Sequence, residues 1–200
     1  SEIFIESDEL DLNPPMDSYP GWAKRMAEMQ IKAYKIQYNI DSFSIVRPAN
    51  VYGPGDNFDP NNAMVIPSLI NKIIRGDNPV KIWGDGKAVR DFIYSKDVAY
   101  GILLSLISKN KFSYYNLGSG IGITIKELVE TLNEIIDFNY EYDVSKPSGA
   151  PKRIMDVSKS KTDLNFTPKT TLFNGLEETI NWFSKNKEDY LHKQNYFLDE

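Results

Sequence analysis

Residues 21–54, GWAKRMAEMQIKAYKIQYNIDSFSIVRPANVYGP, decide the fold class of this chain. Residues 21–38 are rich in good helix formers and place apolar side chains near a 3.6-residue period, which predicts a helix that begins after Pro20. Residues 42–48 form an apolar, β-branched run closed by proline, which predicts a buried strand. Because a helix followed by such a strand is half of a βαβ unit, we expect an α/β fold.

The rest of the sequence continues this alternation. Residues 49–63 are dense in Gly, Pro, Asn and Asp, which predicts a loop at the carboxyl end of the strand, where α/β sheets bind ligands. Thr124 and Glu127 form a capping-box pattern before a helix. The other predicted elements are a helix ending at Gly76, a strand at 80–83, an extended segment at 89–95, a helix at 96–108, strands at 114–117 and 140–144, a loop at 145–153, a helix at 171–186 and a polar tail at 187–200.

The composition excludes several classes of site. The chain has 200 residues, 41% hydrophobic content, no cysteine, one histidine (His192) and a net charge of −5. We therefore expect no disulfide, no metal site and no nucleic-acid partner, because these need thiols, imidazoles or clustered basic residues. No apolar run is long enough to span a membrane, and the absence of cysteine favours a reducing, cytoplasmic location. Residues 1–15 are predicted to be a polar loop without a strand, and this beginning resembles a cut.

Five motifs, in order, resemble the second half of the extended short-chain dehydrogenase/reductase family, the NAD(P)-dependent nucleotide-sugar epimerases, dehydratases and reductases. The motifs are the lysine helix, RPANVYGP, WGDGKAVRDFIYSKDVA, NLGSG with its helix, and PKRIMDVSKSKTDL with the final helix. The resemblance covers residues 19–185. Within the family, YGPGDNFDPNN and SKPSGAPKRIMDVSKSK are most similar to the GDP-L-fucose synthase group, which reduces a 4-keto-6-deoxy-mannose nucleotide with NADPH.

The resemblance implies the C-terminal part of a Rossmann-like enzyme with a smaller α/β substrate-binding domain. Residues 1–62 would end the dinucleotide-binding domain, residues 63–186 would form mainly the substrate-binding domain, with 85–120 returning to the Rossmann sheet, and 187–200 would be a tail. The sequence has no G-x-x-G-x-x-G turn after a strand, so the main binding half for NADP or NAD is expected outside these residues. The implied partners are a nucleotide-diphosphate sugar and a second copy of the chain.

Lys24 and Tyr19 are the catalytic residues implied by the resemblance. In the family the lysine binds the nicotinamide ribose, and its charge favours ionisation of a tyrosine that exchanges a proton with the sugar. That tyrosine normally lies four residues before the lysine, where this chain has Pro20. Because the residue before proline prefers an extended backbone, we expect Tyr19 to lie outside the helix, within reach of Lys24. The alternatives are a solvated lysine and a packing tyrosine.

Asn50 and Pro48 correspond to positions beside the cofactor, and Asn50 also to a substrate contact; the alternative for Asn50 is a loop asparagine that holds its own turn. Arg90 and Arg153 resemble the basic residues that bind the substrate diphosphate, where a planar bidentate donor suits the oxygens. The alternative for Arg90 is an ion pair with Asp91 or Asp97.

Trp83 would wall the nucleotide pocket unless it is a core residue. Lys72 stands where the family has a phosphate-contacting arginine, and a helix-surface role is the alternative. Asp97 and Asp156 are interpreted as structural residues that tie loops and cap helices. The glycines of NLGSGIG are interpreted as a structural turn, because no acidic residue follows at the spacing of a dinucleotide site.

The predicted function is therefore hydride transfer at C4 of a nucleotide sugar, with Tyr19 and Lys24 in acid–base chemistry. Met64 replaces a histidine that the GDP-L-fucose synthase group uses in C3/C5 epimerisation, and methionine exchanges no proton at neutral pH. The alternative is a catalytically silent nucleotide-sugar-binding module or subunit, since the usual tyrosine and histidine positions are both changed.

Overall fold

The computed structural model describes residues 3–4, 18–59, 62–110 and 112–191. Within them the helices are α1 (Ser18–Tyr38), α2 (Val65–Ile74), α3 (Ser95–Ile107), α4 (Ile125–Ile135), α5 (Ser158–Leu164) and α6 (Leu172–Leu191). The strands are β1 (Ile3–Phe4), β2 (Ser44–Pro48), β3 (Asn50–Tyr52), β4 (Val80–Trp83), β5 (Val89–Arg90), β6 (Phe92–Tyr94), β7 (Ser113–Leu117), β8 (Ile123–Thr124), β9 (Tyr140–Asp143) and β10 (Lys152–Met155).

The strands pair almost entirely in parallel. One sheet has the order β1-β10-β5-β8, and three further pairs are β2 with β7, β3 with β6, and β4 with β9. Only β5 and β8, among the described pairs, run antiparallel. Parallel neighbours need crossover connections, and the helices between them supply these. The predicted mixed α/β class is confirmed.

Several predicted elements appear with the expected bounds. Thr124 caps α4, and Thr124 and Glu127 form the reciprocal pair of hydrogen bonds of a capping box. Gly76 follows α2 with a φ of +85°, a conformation that glycine adopts without strain. On α6, the sequence predicts an apolar stripe of Leu172, Leu176, Ile180 and Phe183; the last three are buried and Leu172 is partly buried.

Two predictions about strands were wrong and a third was incomplete. The segment predicted as a loop after β2 contains β3, whose three residues pair with β6. The extended segment at 89–95 is divided at Asp91 into β5 and β6, which belong to different sheets. The loop predicted at 145–153 ends in β10, which lies between β1 and β5. In each case the pairing partner is distant in sequence, so local composition carries no signal for it.

The two ends of the chain also differ from expectation. β1 lies in the segment predicted to have no strand, and the rest of that segment lies outside the described residues. Helix α6 continues to Leu191, so residues 187–191 are helical rather than a polar tail; His192 and the residues after it lie outside the described part. Helix α5 was not predicted, and α1 begins at Ser18, before Pro20.

The described residues bury two apolar clusters. The larger one joins β3, β4 and β6 to helices α2, α4 and α6, and includes Tyr52, Phe58, Ile70, Leu128, Leu132, Leu176 and Phe183. The smaller one lies between α3, β7 and the segment after α5, and includes Val98, Tyr115, Leu117, Leu164 and Phe166. The predicted domain boundaries stay a prediction. No helix in the described part is both long and apolar enough to cross a membrane.

Candidate functional site

Asn50 is the first residue of β3 and is held against the neighbouring chain segment. Its backbone N–H and its Nδ2 both donate to the carbonyl oxygen of Asp91, at 3.1 and 2.7 Å. These two bonds fix the side-chain amide of Asn50, and the Oδ1 atom lies on the side of the amide away from Asp91. Asn50 therefore lies at the carboxyl end of β2, directly beside the junction of β5 and β6.

Asp91, at this junction, is a buried carboxylate with an exposed fraction of 1%. It accepts hydrogen bonds from the N–H and Oγ of Ser119, at 2.9 and 2.6 Å, from Gly120 N at 3.1 Å and from Met155 N at 3.3 Å. Such a set of donors satisfies the hydrogen-bonding capacity of a buried carboxyl group. Asp91 thus fastens β7 and β10 to the β5–β6 junction.

The same bonds explain the glycine-rich segment NLGSGIG. The N–H groups of Ser119 and Gly120, which in a dinucleotide loop would face a phosphate, donate to Asp91 instead. A Cβ on Gly118 would lie 2.5 Å from the Asp91 carboxylate, so the close approach requires glycine. The segment forms a concave group of backbone N–H donors of the kind that binds anions, and the group that occupies it is the Asp91 side chain of the same protein.

Arg90 is half-buried and faces the loop that precedes β10. Its Nη1 donates to the carbonyl oxygens of Val89 at 2.8 Å and Ala150 at 2.7 Å, and its Nη2 lies 3.5 Å from that of Ser148. The predicted alternative, an ion pair with Asp91 or Asp97, is not what the structure shows, because both carboxylates accept backbone N–H groups elsewhere. The guanidinium holds the 148–150 loop.

Arg153 lies directly beside Arg90. The two are register partners on the parallel strands β10 and β5, so their side chains share one face of the sheet. Burial, and secondly the charge of Arg153, lower the pKa of Arg90. Two cations at adjacent positions on neighbouring strands repel each other. The structure brings together the two arginines that the sequence assigns to the diphosphate.

Trp83 ends β4 near the same loop, with 59% of its surface exposed. It is therefore not a core residue, and Lys146 Nζ lies 5.7 Å from the centroid of its ring. Gly84, which follows it, packs closely against Ser148, and Gly149 has a φ of +72° with its Cβ position 3.1 Å from Arg90 Nη2. The 148–150 loop thus connects Trp83 to Arg90.

Lys72 has a different environment. Its Nζ donates to the carbonyl oxygen of Lys81 at 2.9 Å, which links α2 to β4. Burial lowers the pKa of this amine. The amine makes a structural bond to β4 in the described geometry, and a phosphate contact by Lys72 stays a prediction.

Helix α1 is tied to β2 by one ion pair. Arg47 donates from Nε and Nη2 to the two carboxylate oxygens of Glu28, at 2.8 and 2.6 Å, and its guanidinium lies 5.0 Å from the Tyr114 ring centroid. Because both side chains are mostly buried, this bidentate ion pair holds α1 to β2 at the level of Arg47.

Lys24 is exposed and lies one turn before Glu28 on the same face of α1, about 6 Å along the helix axis. Pro48, the last residue of β2, is also exposed. The Glu28–Arg47 ion pair therefore joins the helix that carries Lys24 to the strand that ends at Pro48.

Tyr19 differs from its prediction. It lies inside the first turn of α1, with 87% of its surface exposed, rather than on an extended residue before the helix. Proline is tolerated in a first turn because the N–H it lacks has no intrahelical acceptor there. Five helical residues separate the directions of Tyr19 and Lys24 by about 140°. In this conformation the two side chains do not share a face.

Met64, the residue in the histidine position, immediately precedes α2 and is exposed. The two acidic residues interpreted as structural have that role in the fold. Asp97 accepts from the N–H groups of Lys169 and Thr170, and Asp156 accepts from that of Ser158 at the start of α5. Hydrogen bonds from the side chain of Ser158, and secondly from its backbone N–H, hold the pKa of Asp156 below its usual range.

The profile of the NAD dependent epimerase/dehydratase family matches residues 2–118, more than half of the chain. The chain belongs to this family. The match includes α1, β2, β3 and the arginine-bearing β5, so most of the candidate site lies within the matched residues. The family resemblance predicted from the sequence is thereby confirmed.

Curated epimerase/dehydratase relatives match over most of this chain. GDP-L-fucose synthase 1 of Arabidopsis thaliana is 35% identical over 178 residues, which are 86% of this chain and 54% of that protein. dTDP-4-dehydro-6-deoxy-D-allose reductase of Streptomyces bikiniensis is 34% identical over 163 residues, 80% of this chain and 49% of that protein. The chain spans about half the length of these relatives.

Solved structures of the family share the fold. UDP-glucose 4-epimerase of Thermotoga maritima, solved with UDP-glucose, has a TM-score of 0.73 and 30% identity, covering 93% of this chain and 64% of that one. MoeE5, solved with UDP-glucuronic acid and NAD, has a TM-score of 0.77 and 28% identity, covering 93% and 60%. The Rossmann-like fold class is confirmed.

Two site residues escaped the sequence interpretation. Asp91 was considered only as a partner for Arg90, and Glu28 was not considered at all. Glu28 had one available signal: an arginine inside a predicted buried strand needs a counter-charge, and an acidic residue on the preceding helix is the nearest source. No such signal was available for Asp91, because its hydrogen-bond donors come from residues 119–120 and 155, which are distant in sequence.

Proposed function

We propose that this chain binds a nucleoside-diphosphate sugar and serves NAD(P)-dependent epimerisation or reduction at C4 of the sugar, as in the GDP-L-fucose synthase group. The observation that carries the proposal is the register pairing of Arg90 and Arg153 beside the 148–150 loop, in a chain of the epimerase/dehydratase family. Planar guanidinium groups on one face suit the bidentate oxygens of a diphosphate.

The base and the sugar would lie on opposite sides of these arginines. The exposed face of Trp83 offers a surface for the base near the loop that Arg90 holds. Asn50 is fixed next to Arg90 through Asp91, and offers its amide oxygen to the sugar or the cofactor. Lys72 is proposed as a more distant phosphate contact.

The residues present fit the nicotinamide end of NAD or NADP. Lys24 is exposed on the helix that the Glu28–Arg47 ion pair ties to β2, and Asn50 lies at the carboxyl end of β2, which is where α/β folds bind cofactors. Lys24, Pro48 and Asn50 would hold the nicotinamide ribose. Among the described residues the glycine turn after β7 is filled by Asp91, so the pyrophosphate of the cofactor has no cradle there. When bound, the cofactor supplies the hydride donor or acceptor.

The proton is proposed to move between the C4 oxygen and the phenol of Tyr19, with Lys24 nearby as the stabilising charge. Unwinding of the first turn of α1 would be needed, because the helical geometry directs the two side chains apart. The first N–H groups of a helix have no intrahelical acceptors, so few bonds oppose this change. Met64 cannot act as a base, so we propose that C3/C5 epimerisation does not occur at this site.

The experiment combines the protein with NAD or NADP and a panel of hexose and 4-keto-6-deoxyhexose nucleotides. Turnover is expected as a change in the absorbance band of reduced nicotinamide, or as C4 epimerisation of the product. Absence of turnover with every nucleotide sugar of the panel would contradict the enzymatic proposal.

A catalytically silent nucleotide-sugar-binding module is the second candidate, and the position of Tyr19 on the helix favours it. Calorimetry and the turnover assay together separate the two functions. A silent module binds nucleoside-diphosphate sugars in the calorimeter but shows no turnover in the assay.

A homodimer is also part of the proposal. Helix α1 exposes the apolar side chains of Trp22, Met26, Met29 and Ile36 at helical spacing, which supports a helix-packed contact with a second copy. Light scattering of the purified protein measures the stoichiometry, and a monomer at all concentrations would contradict it.

A further inference from the structure

The loop that joins β3 to α2 lies between two candidate site positions. It follows Asn50 in β3 and leads to Met64 at the start of α2. Residues 53–59, called here the 53–59 loop, include Gly53 and Gly55 with positive φ values and no regular secondary structure. The loop has short internal hydrogen bonds, among them Asp56 N–H to the carbonyl oxygen of Gly53 at 3.2 Å, and bonds from other elements add to these.

Phe58 is the apolar anchor of the 53–59 loop, and its side chain is fully buried. Its ring stacks on Phe183 with centroids 4.0 Å apart, and Tyr190 meets it edge-on at 5.4 Å. Trp182 completes the cluster at 6.2 Å. The three partners all belong to the second half of α6, which contributes none of the candidate site residues.

Two hydrogen bonds fix the backbone on either side of this anchor. The hydroxyl of Tyr190 donates to the carbonyl oxygen of Asp56 at 2.8 Å. Asn71 Nδ2, on α2, donates to the carbonyl oxygen of Phe58 at 2.5 Å. The loop is thus held between α2, whose first residue follows Met64, and the last turn of α6.

We propose that Tyr190 is a positioning residue for the sugar end of the nucleotide sugar, acting through the 53–59 loop. The inference rests on the proposed function and adds a part of the fold to it, the end of α6. The diphosphate end is held by Arg90 and the 148–150 loop, to which Tyr190 makes no described bond. Loss of the Tyr190 hydroxyl should therefore affect recognition of the sugar and spare that of the diphosphate.

The test compares Tyr190→Phe with wild type by calorimetry, using GDP, UDP and dTDP and the matching nucleotide sugars GDP-mannose, UDP-glucose and dTDP-glucose. For the base that binds, we expect the Kd of the nucleotide sugar to rise about three- to ten-fold, the range of one hydrogen bond, with the Kd of the diphosphate unchanged. Tyr100→Phe, the same change at an exposed tyrosine of α3, is the matched control and should alter neither.

Hydrogen exchange supplies a second readout that does not depend on activity. Because coupling is reciprocal, binding of the nucleotide sugar should slow exchange at residues 186–191 in the wild type, and the diphosphate alone should not. Phe58→Leu, which weakens the anchor from the loop side, should abolish this protection even if its thermal stability falls.

The outcomes distinguish the two levels of proposal. If the wild type binds none of the probes, the proposed function is overturned, and this inference with it. If the wild type binds a nucleotide sugar, but Tyr190→Phe weakens sugar nucleotide and diphosphate equally or changes neither, only the positioning role of Tyr190 is overturned.

Discussion

Glu28 on α1 and Arg47 on β2 form a bidentate ion pair, with two nitrogen–oxygen distances of 2.8 and 2.6 Å. Glu28→Gln removes the charge that satisfies the mostly buried guanidinium, so we expect a loss of about 1.5–3 kcal/mol in the free energy of unfolding. Urea denaturation measures it. Glu130→Gln, which breaks an exposed pair with Lys126 on α4, is the control and should cost under about 0.5 kcal/mol. Equal effects of the two variants would refute the anchoring role.

Arg153→Ala tests the diphosphate site and leaves in place the bonds by which Arg90 holds the 148–150 loop. Loss of charge-assisted bonds should weaken binding of a nucleoside diphosphate on the order of 10- to 100-fold, and Arg153→Lys should give an intermediate loss. Calorimetry measures both. Arg75→Ala removes an exposed arginine paired with Asp77 at the end of α2 and should leave binding unchanged; a similar loss in that variant would point to a general charge effect.

Tyr19→Phe tests the proton-transfer role of the phenol. If Tyr19 is the acid–base group, kcat should fall about 10²- to 10⁴-fold with little change in the Kd of the nucleotide sugar. Tyr38→Phe, at the exposed end of the same helix, is the control for steady-state kinetics. Full activity of Tyr19→Phe would instead assign the proton transfer to another group.

Asp91→Ala tests the carboxylate that fastens β7 and β10. The N–H groups of Ser119, Gly120 and Met155 would lose their acceptor in a buried site, which should cost more than about 3 kcal/mol. Asp163→Ala, an exposed change on α5, should stay within about 0.5 kcal/mol. Chemical denaturation of both variants is the measurement, and a loss below about 1 kcal/mol for Asp91→Ala would mean that water replaces the carboxylate.

Asp56 gives a pH dependence of stability. Burial raises the pKa of its carboxyl above the ordinary value, against a smaller lowering effect of the bond from Asn57 N. The folded state therefore favours the protonated form, and this stabilisation is present below the unfolded pKa and lost as the pH rises through the folded pKa. Asp56→Asn should be more stable than wild type at pH 7, by a margin that shrinks toward about pH 4.

Thermal unfolding between these two pH values checks the sign. Within the described residues Asp56 Oδ2 is buried without a hydrogen-bond partner, so the amide replaces a charge without breaking a bond there. Asp137→Asn, an exposed change, should show a pH-independent difference from wild type. A margin for Asp56→Asn that grows as the pH falls would reverse the assignment.

The sequence was informative where local chemistry decides structure. The capping box of Thr124 and Glu127 and the arginines of β5 and β10 were recognisable because each depends on neighbouring residues or on a motif. β3 and the division at Asp91 were not, since their pairing partners lie more than about thirty residues away. For Tyr19, the preference of residues before proline was overridden by the first turn of α1, which accommodates proline at its third residue.

The strand β1 sets an order of events during synthesis. Ile3 and Phe4 pair with Ile154 and Met155, so the described partner of β1 is translated about 150 residues after it. The same late segment brings Arg153 beside Arg90 and the Met155 N–H to Asp91. Contacts of such long separation close slowly, because the loop entropy is lost before the contact forms. The proposed diphosphate face of Arg90 and Arg153 is therefore completed only after β10 has been translated.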